Sequence, residues 1–140
     1  MNEGNEVKKS VSLDSLNLSK DCEQGFEFEL VDVKGRGTGI FLTVLGQHAE
    51  EPKAAIRKRL NAEITQNAML QKRGKDAPIK LVEDLRDDNL HDSAVYVTAW
   101  KGITEPCTLE NVIKLFKINQ EYMRQAIEES QRLENFTLGK

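Results

Sequence analysis

Apolar and polar residues alternate strictly over Phe26-Glu27-Phe28-Glu29-Leu30, the pattern of a half-buried strand. Ile40 to Leu45 is a second, β-rich apolar run, and Gly35-Arg36-Gly37-Thr38-Gly39 between the two supplies turn conformations. Together they predict an antiparallel hairpin over about 25–46. Ahead of it, Ser12 to Gln24 reads as a short helix or turn, with Ser19 as N-cap, Glu23 in the turn behind it and Gly25 stopping it in the left-handed conformation. Residues 1–11 hold almost no apolar side chain and read as a flexible, polar lead-in.

After Gly46 the period changes. Ile56, Leu60, Ile64 and Ala68 recur every fourth residue, which predicts one helix over about 51–73, with Pro52 in its first turn where a missing N–H costs nothing. Gly74 and Pro78 mark a break, and Ile79, Val82 and Leu85 resume a helical stripe. From Ser93 to Trp100 two patterns compete. Val95, Val97 and Ala99 alternate as in a strand, whereas Leu90, Ala94, Val97 and Trp100 share one helix face. The helix is preferred, because no breaker separates this stretch from the preceding one, and it is expected over about 79–100.

The last third is clearer. Thr108 is a good N-cap, Glu110 lies in the positive first turn, and Leu109, Val112, Ile113 and Phe116 form one apolar stripe, predicting a helix over 109–117. Asn119 caps a second helix over 120–134, lined by Met123, Ala126, Ile127, Ser130 and Leu133. So short a link makes the two a tight helical pair. The fold expected is α+β: a predominantly helical single domain over 12–140, with an N-terminal antiparallel β-hairpin and a C-terminal helical pair.

Length and composition narrow the function. A chain of 140 residues fits one core, not two. Its net charge of −3 does not favour a dedicated nucleic-acid binder, which needs a basic surface. No apolar run approaches the ~18 residues of a membrane span, and no secretory h-region is visible. The cysteines, Cys22 and Cys107, are far apart, which fits a reduced cytoplasmic protein, although the fold could also bring them together.

Candidate chemistry is sparse. The glycine-rich stretch 35–39 lacks the Lys-Ser/Thr pair and following helix of a phosphate cradle, so a hairpin turn is the simpler reading. Cys22, His48, His91 and Cys107 are suitable metal ligands in kind, but none belongs to a closely spaced pair. No nucleophile elbow and no carboxylate pair in an apolar frame is present, so neither catalysis nor a cofactor or metal is expected.

Charge is more informative. Lys53, Arg57, Lys58, Arg59, Lys72, Arg73 and Lys75 make the first long helix basic, and Glu83, Asp84, Asp87, Asp88 and Asp92 make the next one acidic. The two faces either compensate within the chain or meet between subunits. In the second case Arg57, Lys58 and Arg59 would face Asp84, Asp87 and Asp88 of a neighbour, a head-to-tail contact that propagates into a ring or spiral. Trp100 and Phe116 are most simply core. Phe136 lies beyond the periodic region and either folds back or inserts into a partner.

Several motifs in order carry a resemblance. Leu42-Thr43-Val44-Leu45-Gly46 precedes the basic helix, and Ala99-Trp100-Lys101-Gly102-Ile103 follows the acidic one. Then come Cys107-Thr108-Leu109-Glu110-Asn111-Val112, Tyr122-Met123-Arg124-Gln125-Ala126-Ile127 and Asn135-Phe136. From about Leu18 onward the chain resembles the tail assembly chaperones of phages with long, flexible, non-contractile tails. Thr137 stands where the family often has an aliphatic residue, and Cys107-Thr108 replaces its usual Phe-Ser.

The resemblance implies a protein of the host-cell cytoplasm, absent from the virion, that binds the tape measure protein and keeps it soluble while tail tube subunits polymerise around it. It also implies a ring- or spiral-forming homo-oligomer. Trp100, Leu109, Phe116, Met123, Ile127 and Phe136 are then the expected client contacts. The rival expectation is a minor tail or tube-associated component retained in the virion, and a small nucleic-acid-binding regulator is a third.

Overall fold

The computed structural model describes residues 10–137. The lead-in expected over 1–11 lies almost wholly outside the described residues. A 3-10 turn (Leu13–Leu16) leads into helix α1 (Leu18–Cys22), and strands β1 (Phe26–Val31) and β2 (Gly37–Val44) follow. Helices α2 (Glu50–Lys72) and α3 (Val82–Ala94) precede strand β3 (Val97–Lys101), and α4 (Leu109–Ile118), α5 (Gln120–Gln131) and α6 (Glu134–Thr137) complete the chain. The fold is α+β, with the expected hairpin and the expected C-terminal helical pair.

The hairpin closes on Asp32. Its carboxylate accepts the N–H groups of Lys34 (2.8 Å) and Arg36 (2.9 Å), and Gly35 takes the left-handed conformation at φ 79°. The Arg36 N–H is the largest influence holding the Asp32 carboxyl below its usual range. In β1 the alternation works as read: Phe26, Phe28 and Leu30 turn toward the helices, while Glu27 and Glu29 are exposed.

The structure corrects the sequence at 95–100. Helix α3 stops at Ala94, and β3 adds to β2 antiparallel, giving the order β1-β2-β3. Leu42 pairs with Trp100 and Thr43 with Ala99, but Val44 pairs with Val97, so Thr98 is an extra residue in the ladder. This bulge puts Val97 and Trp100 on the same face, three positions apart. That spacing imitates a helix in the sequence. What decides for strand is the open edge of β2, a partner that local periodicity does not contain.

Smaller corrections concern the ends. Asn17, not Ser19, caps α1, its side chain accepting the Lys20 N–H at 3.3 Å. Gly25 is not left-handed; it is needed because a Cβ there would lie 2.6 Å from Thr43 Cγ2. Helix α3 begins at Val82, not at residue 79, and Asp84 accepts the Leu81 N–H at its start. Helix α5 ends at Gln131, three residues earlier than expected, because the chain turns to place α6.

The core lies between the sheet and the α3, α4 and α5 layer. Leu30, Leu42 and Val44 from the sheet meet Leu90, Ala94, Val112, Phe116 and Ala126 from the helices. Thr108 caps α4 as predicted, accepting the Asn111 N–H at 3.2 Å. Gln125 has an unusual duty. Its buried amide accepts the Val31 N–H and donates to the Val31 C=O, both at 3.0 Å, and so closes the outer edge of β1 as a neighbouring strand would.

Helix α2 departs most from expectation. It is 23 residues long, about 34 Å at 1.5 Å per residue, yet the residue it buries is Pro52 in its first turn. The stripe Ile56, Leu60, Ile64 and Ala68 does not reach the core, and Ile64 is 64% exposed. Four residues advance about 400° around a helix, so an every-fourth-residue ridge winds off any single face by about 40° per step. The side of α2 turned to α3 carries Arg59 and Glu63 instead.

Candidate interaction surfaces

Beside β3 an apolar groove of about 110 Å³ opens to solvent, lined by Trp100, Ile103, Glu105, Asn111, Lys114, Leu115 and Ile118. The loop after Gly102 builds it. Trp100 Nε1–H donates to the Glu105 carbonyl at 2.9 Å, and Asn111 Nδ2 donates to the Pro106 carbonyl at the same distance. These bonds fix the indole ring and the loop against α4. Ile118 at the groove's far end is 75% exposed, a large apolar side chain left open on an otherwise amphipathic helix.

Of the residues expected to touch a client, Trp100 lies in this groove. Leu109 is exposed on the first turn of α4 but does not line it. Met123 and Ile127 are half-buried along a second groove, between α3 and α5. Phe116 and Phe136 are corrected: they are 0% and 4% exposed and belong to the core. Helix α6 folds Phe136 back, edge to face on Phe26 with ring centroids 6.2 Å apart. A contact made across the whole chain, from α6 to β1, settles what the sequence left open. Ile103, Leu115 and Ile118 were not singled out from the sequence. The signal available was the spacing of Leu115 and Ile118, a second apolar row beside the buried stripe.

Most of the charged residues expected between subunits find partners within the chain. Arg57 pairs with Glu50 at 2.7 Å. Arg59 makes a bidentate pair with Asp92, at 2.8 and 2.6 Å, and its Nη1 lies 3.4 Å from Asp88 and 3.6 Å from Glu63. For Arg59 and Asp88 compensation within the chain is therefore the correct reading. Lys80, unremarked in the sequence, bridges Glu63 (2.7 Å) and Asp88 across the two helices. Lys58 and Asp87 remain exposed with no ion pair among the described residues, and Asp84 caps α3.

The electrostatics follow from this cluster. Hydrogen bonding to Asp92 holds Arg59 above its usual value, against the opposing effect of burial. Burial alone would raise Asp92, but the hydrogen bonds from Arg59 and His91 outweigh it and the carboxyl is lowered. Elsewhere the chemistry is quiet. Cys22 and Cys107 are both free thiols, and burial pushes the Cys107 thiol up, away from the reactive thiolate. Among the described residues, no group of three or more His, Cys, Asp or Glu side chains is placed to hold a metal ion.

Comparison of the chain with protein-family models, curated proteins and solved structures finds no match.

Proposed function

We propose that this chain is a tail assembly chaperone of a long-tailed phage or prophage, holding the tape measure protein in soluble form in the host cytoplasm during tail tube assembly. The observation that carries the reading is the open groove of Trp100, Ile103, Leu115 and Ile118. At about 110 Å³ it falls below the roughly 300–1,000 Å³ of small-molecule sites. It suits one large apolar side chain projecting from a helix, which is what an extended helical client offers repeatedly. A single such contact is weak, and many copies of the groove gain by avidity.

The copies associate, in this proposal, through the outward faces of the two charged helices. Helix α2 presents Leu60 and Ile64 among Lys53, Arg57 and Lys58, and α3 presents Val82 and Leu85 beside Glu83, with Asp84 and Asp87 at the rim of the cleft between the helices, all of them exposed. The two faces differ in sign and match in apolar content, so the contact is heterologous and propagates.

Co-expression with the tape measure protein tests the client reading. Wild-type chain should move the client from the insoluble to the soluble fraction. Ile118→Asp, at the exposed end of the groove, should abolish that while the variant itself stays soluble and folded. Equal client solubility with and without this chain would refute the proposal, and its stoichiometric presence in purified virions would favour a structural tail component.

A further inference from the structure

The contact between α2 and α3 is built unlike the rest of the molecule. Between them, and the return segment that joins them, lies an open cleft of about 410 Å³, lined by Arg59, Glu63, Gln66, Ile79, Lys80 and Asp88 among others. Of α2 only Pro52, in the first turn, is buried, and none of the aliphatic side chains from Ile56 onward joins the apolar core cluster. What crosses the cleft is charge. Arg59 and Lys80 face Glu63, Asp88 and Asp92 in one connected set of ion pairs.

Arg59 is the centre of the set. Its side chain is only 20% exposed, and its Nη1 is buried without a hydrogen bond, held between Asp88 and Glu63 at ion-pair distance. Lys80 acts on the return segment. Its ammonium reaches Glu63 and Asp88, while its neighbours Ile79, at the cleft's rim, and Leu81 are left exposed, Ile79 by 88%. Ile79, Leu81 and Val82 beside Lys80 are all exposed apolar side chains.

We propose that these five side chains form an ionic latch. It sets the position of the α2 arm against the body, so that ionic strength or loss of one cation frees the arm while the sheet and the helices packed on it stay folded. The inference does not rest on the chaperone reading, since it concerns the chain alone. The physical basis is that ion pairs across an open cleft are weakened by salt, though less than fully exposed pairs because these are partly buried, whereas apolar packing in the core is not weakened by it. An element tied down in this way opens by itself, below the threshold for global unfolding.

Spin labels at Met69→Cys on α2 and Gln131→Cys at the end of α5, in a Cys107→Ser background, read the arm's position; Cys22 is fully buried. At low salt the full-length chain should give a single narrow distance. In about 1 M NaCl, where the screening length falls to ~3 Å, the narrow peak should be lost. Arg59→Gln and Lys80→Gln should each lose it at low salt, with Trp100 fluorescence unchanged. Arg124→Gln, which breaks ion pairs on α5 alone, should leave it intact. A narrow peak that persists in both single cluster variants overturns the proposal. So does a peak lost only together with the Trp100 signal, or one lost equally in Arg124→Gln.

Discussion

Replacing Gln125 by Leu tests how the outer edge of the sheet is held. The side chains are similar in size, so packing against the sheet is largely kept and the change isolates the amide. In its place Leu offers nothing to the Val31 N–H and C=O, each bonded to Gln125 at 3.0 Å. An abandoned backbone group costs about 1–3 kcal/mol when buried. Val31 is only half-buried, so water partly compensates. We expect a total loss of about 2–3 kcal/mol, a large share of the roughly 5–15 kcal/mol typical of a domain. At this chain length that lowers the melting temperature by roughly 10 °C. Urea denaturation with an unchanged m-value is the direct measurement.

Gln125→Glu sharpens the test. The carboxylate can still accept from the Val31 N–H, but it faces the Val31 carbonyl with nothing to donate. Burial and that carbonyl both disfavour the charged form, so the folded pKa lies above the unfolded value of about 4.3. A group raised on folding is least damaging below its unfolded pKa and most damaging once pH exceeds its folded pKa. The variant should therefore be markedly weaker than wild type at pH 7 and recover relative to it as pH falls toward about 4. A Leu variant within about 0.5 kcal/mol of wild type, or a Glu variant without this pH dependence, would refute the edge-closing role.

Three further outcomes are expected. Phe136→Ala should cost about 3–5 kcal/mol, read by thermal denaturation, because a core ring is removed from the face of β1; a client-binding Phe would leave stability unchanged. Gly102→Ala should destabilise by about 1–3 kcal/mol or more, since Gly102 has a φ of 88° and a Cβ there would approach the Gly39 carbonyl to 2.4 Å; circular dichroism melts check it. The arm distance should be constant near neutrality. Asp92 is lowered below its ordinary 3.8, so its contribution is present above that value and is lost as pH falls through its lower folded pKa. Lys80 is raised above 10.5, so its share is present below that value and lost as pH rises past the folded pKa. The groups facing the cluster are Arg59, Glu63, Lys80, Asp88, His91, Asp92 and Tyr96, and the narrow peak should persist at pH 5 and be lost only below the ordinary Asp92 value of 3.8.

Local pattern alone determined the hairpin, through the alternation of Phe26 to Leu30, and the α4–α5 pair, through the Thr108 cap and an apolar stripe on each helix. In these elements the period of the sequence and the face that is buried coincide, so neighbours along the chain carry the information. Only the tertiary structure decided β3, where the free edge of β2 captured a stretch whose bulge mimics helical spacing. It also decided Phe136, whose partner Phe26 stands more than a hundred residues away in sequence. In α2, apolar spacing made a helix but no core contact, because the face turned to α3 is charged. The groove beside Trp100 needs a loop, a strand end and a helix together, and no window of sequence holds all three. Periodicity reports what an element is; which surface covers it depends on residues far off in the chain.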